Sequence, residues 1–140
     1  MSVVVLVALI VVPIVVVVGV LVTVLVTVLR RRSRERLAEL KKSFPDARMG
    51  PELGNYRGGT GSFSRVNNTS WIVLTPTALA IRPLLGKAIT VPTADVTGAR
   101  IAKSFIGQRT VNPVLVLETA HGELGVTVAD PEEWRRALVR

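Results

Sequence analysis

The sequence predicts an N-terminal transmembrane α-helix followed by a small α+β domain. In that domain about seven mainly antiparallel strands form a barrel or sandwich closed by a C-terminal α-helix. Three observations carry this expectation. Val3 to Leu29 holds no charged residue. From Ser62 onward, short runs rich in β-branched residues alternate with turn residues. The chain then finishes on Asp130-Pro131-Glu132-Glu133-Trp134, which is a helix start. The expected organisation is a span at 3–29, a basic juxtamembrane helix and Gly/Pro-rich linker at 30–61, and a folded domain at 62–140.

As an α-helix, residues 3–29 would reach roughly 40 Å, against a hydrocarbon core of about 30 Å. Valine dominates the segment, with Thr23 and Thr27 its polar residues. Valine is a modest helix former in water, but in lipid each backbone N–H must find a partner within the segment, so the helix prevails. Pro13 and Gly19 are tolerated in such a helix. A cleaved signal peptide would have a basic start, a shorter apolar stretch and a small-residue cleavage site. Val28-Leu29-Arg30 offers none of these. Arg30, Arg31 and Arg32 follow the span directly, and cytoplasmic flanks hold the Lys/Arg excess. The expected location is therefore the plasma membrane, crossed once, with the N-terminus outside and the C-terminal domain in the cytoplasm.

The net charge of +8 is unevenly distributed. Residues 1–48 hold eight basic residues against three acidic ones, while residues 49–140 hold ten against seven. Basicity thus belongs mainly to the segment after the span, which weakens a nucleic-acid reading. Leu37, Leu40 and Phe44 share one face of a helical continuation that Pro45 ends. Arg30, Arg31, Arg32, Arg34 and Arg36 make a collar suited to anionic lipid, or simply a stop-transfer flank. Residues 45–62 have linker composition. Their Gly58-Gly59-Thr60-Gly61-Ser62 run lacks the G-K-[ST] ending and the preceding apolar strand of a phosphate loop.

Strands are expected at Ser62–Val66, Trp71–Thr75, Leu79–Pro83, Ala88–Val91, Val96–Phe105, Val114–Thr119 and Leu124–Val128, with an irregularity at Gly98 and a polar loop from Gly107 to Pro113. Short separations favour hairpins and an antiparallel sheet. Asp130 caps the final helix, Pro131 opens it, and Trp134, Ala137 and Leu138 form its apolar stripe. Trp71, Asp130, Trp134 and Leu138 are the expected structural residues, with Trp134 plugging the open end of the barrel.

The stretches Trp71–Leu79, Ile89–Gly98 and Asp130–Trp134, in this order of seven strands and a capping helix, resemble the pleckstrin-homology-like superfold. They are similar to the bacterial form found in small actinobacterial single-pass membrane proteins. The resemblance covers roughly residues 62–140 and implies binding of lipid headgroups, peptides or proteins. Phosphoinositide-binding members carry several basic residues on the first two strands and the loop between them. Here Asn67-Asn68-Thr69-Ser70 stands at that place, with Arg65 beside it. A five-stranded OB-type barrel is the rival fold, and strand count separates the two.

Catalytic constellations are not gathered by the residues. The chain has no cysteine and one histidine, His121, placed in an expected hairpin turn beside Glu123. A metal site needs several converging ligands. Ser104 and Lys103 are adjacent on a strand and face opposite sides. The expectation is a membrane-anchored, non-enzymatic binding or scaffolding module without cofactor or metal, facing the cytoplasm. Its partners would be the bilayer and another membrane protein, met at a sheet edge or the groove beside the last helix, with neither nucleic acid nor a small-molecule substrate. The alternative is a sensor of anionic lipid using the arginine collar together with Arg100, Lys103 and Arg109.

Overall fold

The computed structural model describes residues 1–139 and divides into two compact units, Met1–Lys42 and Ser43–Arg140. The first unit is one α-helix. This helix, α1, runs unbroken from Val3 to Ser43 through Pro13 and is long and apolar enough to cross a membrane. The two threonines of its apolar stretch are satisfied internally. Thr23 Oγ1 donates to Gly19 O and Thr27 Oγ1 to Thr23 O, both at 2.8 Å. Neither hydroxyl therefore needs water in an apolar setting.

The second unit is an antiparallel sheet of seven strands and a helix. The strands are β1 (Met49–Gly59), β2 (Asn68–Leu74), β3 (Ala78–Pro83), β4 (Ile89–Pro92), β5 (Val96–Phe105), β6 (Gln108–Thr119) and β7 (Gly122–Thr127). A 3-10 turn, Thr93–Asp95, links β4 to β5, and helix α2 spans Pro131–Leu138. The strand order is β4-β3-β2-β1-β7-β6-β5, so the sheet is open, with β4 and β5 as its edges. Seven strands exclude the five-stranded alternative.

Two expectations fail here. The segment read as linker contains the first strand, while Ser62–Val66 lies in the β1–β2 loop without strand structure. The folded unit therefore begins near Ser43, and Phe44–Arg48 alone separates α1 from β1. The reason lies in close approach. A Cβ at Gly54 would collide with the Thr127 carbonyl and Ile72 Cδ1, and one at Gly59 with Phe63 Cβ and Glu123 O. Those glycines let β1 sit between two neighbours; they do not loosen the chain. The second correction concerns Gly107–Pro113. It belongs mostly to β6, because the β5–β6 hairpin closes on the two-residue turn Ile106-Gly107.

One face of the sheet carries the core. Ile72, Leu74, Leu79, Ile81 and Val91 from one half meet Leu115, Leu117, Leu124 and Val126 from the other, with Tyr56 of β1 between them. Trp134 and Leu138 of α2 join the same cluster at 1% and 5% exposure. Burying that tryptophan removes roughly 200 Å² from water, about 5 kcal/mol at 25 cal/mol per Å². The opposite face holds a smaller cluster of Phe105, Val114 and Val116, in which Phe105 fills the space above Gly125. Trp71 is buried on β2, registered between Leu53 and Arg82. The connector lies against this strand's end, with Arg48 N–H donating to Leu74 O at 2.7 Å, and the Arg82 guanidinium stacks 5.5 Å above the Phe44 ring.

Helix α2 starts as its sequence requires. Asp130 accepts from the Glu133 backbone N–H at 3.2 Å, and Pro131 opens the first turn. Its placement depends on Glu52 of β1. One Glu52 oxygen accepts from Trp134 Nε1 at 3.1 Å, and the other from the Ala129 N–H at 2.5 Å. Glu52→Ala leaves the buried Trp134 indole N–H without its acceptor, at roughly 1–3 kcal/mol, while the exposed Ala129 N–H can turn to water. The variant is expected to lose about 1–3 kcal/mol of stability, and Glu52→Gln, which keeps one acceptor, distinctly less. Urea unfolding of the full chain in detergent micelles, followed by tryptophan emission, measures both; Glu52→Ala unfolding like the native chain would contradict the assignment.

Candidate functional site

The loops at one end of the sheet form a cleft. Its floor is Tyr56 of β1, whose ring is buried by the core residues around it. One wall is the β1–β2 loop through Ser64 and Val66, and the other is the β3–β4 loop through Leu85, Gly86 and Lys87, with Asn68, Pro83 and Ile89 between them. The enclosed volume is about 290 Å³.

Both walls are fixed from within. The Tyr56 hydroxyl donates to Ser64 O at 2.6 Å, and the Val66 N–H donates to Ser64 Oγ at 3.3 Å. Gly58 holds a positive φ of 95°, and a Cβ there would press on the Arg65 carbonyl. Across the cleft Asn68 Nδ2 donates to Leu85 O, and the Leu84 N–H donates to Thr69 O at 2.9 Å. A preformed cleft loses little freedom when it is filled.

Three apolar side chains stand exposed on these two loops. Val66 is 68% exposed, Leu85 78% and Leu84 43%. Arg65 and Lys87 are exposed on the same loops and make no ion pair among the described residues. Apolar groups gathered at a cleft mouth with cations nearby suit an apolar anchor side chain of a partner protein. Among the described residues no group of three or more His, Asp or Glu converges as a metal site.

The residues expected to act are dispersed. Arg30, Arg31, Arg32, Arg34 and Arg36 are all exposed on α1, and Arg31 pairs with Glu35 at 3.2 Å. Arg100 is engaged, lying 3.6 Å from Glu118 and 3.2 Å from Glu123. That separates it from Lys103 and Arg109, which are exposed and form no ion pair among the described residues. Trp71, Trp134 and Leu138 are buried, and Asp130 caps α2. His121 is exposed in the β6–β7 turn, where its carbonyl accepts from the Ser62 N–H at 3.0 Å. The groove beside α2 is lined by Arg48, Met49, Glu133, Arg136 and Ala137. Its charged lining lacks the apolar rim of the loop cleft.

Sequence reasoning passed over Val66, Leu84 and Leu85. Their one visible signal was apolar residues standing in turns, as in Leu84-Leu85-Gly86, where polar residues are usual.

The fold therefore defines an α+β domain following one apolar helix of membrane-spanning length. No family model matches the chain, and no curated protein matches it. Among solved structures, the chain is similar to the C-terminal domain of an unknown protein from Leishmania infantum. That match is 16% identical, with a TM-score of 0.48, and covers 73% of this chain and 93% of that one.

Burial holds the Tyr56 phenol in its neutral form and pushes its pKa up to about 12 from the ordinary 10.0. The folded state thus resists an ionisation that the unfolded chain undergoes freely. The resulting stability is complete below pH 10 and is lost as pH rises towards 12. Tyr56 is the chain's one tyrosine, so phenolate absorbance reads it alone. Absorbance of the native chain should rise near pH 12, and that of the urea-unfolded chain near pH 10. Tyr56→Phe should flatten the fall in stability across this window; coincident native and unfolded titrations would contradict the burial.

Proposed function

We propose that the chain is a single-pass membrane protein whose second unit is a non-enzymatic, pleckstrin-homology-like binding module. It faces the cytoplasm and holds a protein partner at the inner leaflet of the plasma membrane. The observation that carries the reading is the preformed cleft with exposed Val66 and Leu85 at its mouth and exposed Leu84 on the same loop as Leu85. A desolvated apolar anchor framed by polar groups is the usual energetic centre of a protein interface. The apolar segment of α1 supports anchoring, and the arginines that follow it support the cytoplasmic orientation. Seven antiparallel strands whose two halves share one core, with a C-terminal helix packed into it, support a sandwich-like member of the pleckstrin-homology-like class.

Anchoring contributes to affinity. Confinement to one membrane raises the effective concentration of a co-resident partner, to around millimolar for short flexible tethers. A cleft of this size then suffices with modest intrinsic affinity.

The test is site-specific photocrosslinking of the full chain in its native membrane. A photoreactive residue at Leu85 should trap a discrete neighbour that one at Thr97, on β5, does not. Val66→Asp should weaken that capture roughly tenfold or more, since it places an unpaired charge at the apolar mouth. Identical neighbours from both positions would reject the cleft. Labelling of a cysteine introduced at Leu85 by an impermeant reagent in whole cells would reject the orientation.

A further inference from the structure

We propose that the tip of the β5–β6 hairpin is a second contact surface, a wedge that enters the headgroup region of an anionic bilayer. It rests on the reading that α1 spans a membrane, which makes lipid a constant neighbour of the chain, and it is independent of the cleft.

The tip presents two apolar side chains by two separate devices. Ile106 occupies the turn with a φ of 50°, followed by Gly107 at 71°. The left-handed region suits Gly, Asn or Asp, and a β-branched residue there is strained. A turn serving closure alone would be better served by asparagine. Yet Ile106 is 44% exposed, so the strain is not repaid by burial in the domain. Val111 is displayed differently. The pairing shifts between Ala102 and Ser104, which leaves Thr110–Pro113 bulging out of β6. Thr110 Oγ1 braces the bulge, 3.2 Å from Lys103 O and 2.7 Å from Asn112 O. Val111 stands at its crest, 99% exposed.

The charges around these residues have one sign. From Val96 to Leu117 the chain holds Arg100, Lys103 and Arg109 and no acidic residue. Arg100 is taken up by Glu118 and Glu123, which leaves Lys103 and Arg109 beside the two apolar groups. Apolar side chains flanked by free cations match the boundary between anionic headgroups and acyl chains, where bulk apolar contact and charge attraction add. An acid-free tip also avoids repulsion from that surface. The tip is held, since Phe105, directly before the turn, is buried against Val114 and Val116. The wedge is therefore a fixed projection, not a loose loop.

The chain has no cysteine, so one introduced by Val111→Cys can carry an environment-sensitive fluorophore in the full chain. The protein is reconstituted into vesicles of phosphatidylcholine alone or with three-tenths phosphatidylglycerol. Spin-labelled lipids should quench the probe in the anionic vesicles, and far less in the zwitterionic ones or at high salt. Reversing Lys103 and Arg109 to Glu together should abolish the difference, while tryptophan emission remains native. Ile106→Asn relieves the turn, so it should raise the thermal midpoint while reducing quenching at least about threefold. Quenching that is equal in both lipids, insensitive to charge reversal, or unchanged in the stabilised Ile106→Asn chain would overturn the proposal. Any of these results leaves crosslinking at Leu85 untouched, whereas failure of that crosslinking leaves the vesicle result standing.

Discussion

The second unit depends on the position of β1 in the middle of the sheet. Its register pairs Leu53 with Trp71 of β2 on one side and Tyr56 with Val126 of β7 on the other. Removing it would leave two three-stranded halves, each with half a core and an unpaired inner edge. The same strand supplies Glu52, which binds both the Trp134 indole and the backbone just before α2. It also supplies Tyr56, which fills the core and floors the cleft. Sheet integrity, helix docking and the proposed binding surface thus share one eleven-residue element.

That element was the hardest to read in the sequence. Gly50, Gly54, Gly58 and Gly59 interrupt it, and Pro51 stands near its start. Such composition ordinarily marks a linker. The reason for Gly54 and Gly59 lies largely in partners remote in sequence, namely the carbonyls of Thr127 and Glu123, which no local pattern exposes. The β6 start was obscured similarly, since Thr110–Pro113 bulges and breaks the period-two alternation. By contrast, Trp71–Leu74 and Val114–Leu117 are buried throughout and read as strands from apolar residues alone. Helix α2 was legible from its cap, because Asp130 and Pro131 act locally.

Charge was legible as composition but not as availability. The Arg100–Arg109 segment reads as one basic cluster along the chain. Folding brings Glu118 and Glu123 across from Arg100 and divides that cluster into an engaged and a free part. Exposed ion pairs of this kind contribute little stability. Their consequence is to decide which cations remain to meet another surface. The cleft was hidden for the same reason, because its walls come from loops separated by a whole hairpin. The binding features that carry both proposals are thus mounted on turns, braced by backbone and side-chain hydrogen bonds from a rigid sheet.

Hydrogen exchange of the full chain in lipid nanodiscs tests the central place of β1 most directly. The amides of Leu53, Asn55 and Tyr56 should exchange as slowly as those of Ile72 in β2 and Leu117 in β6, through opening of the whole unit. Exchange of those three amides at the rate of a solvated loop, with β2 and β6 still protected, would contradict the account.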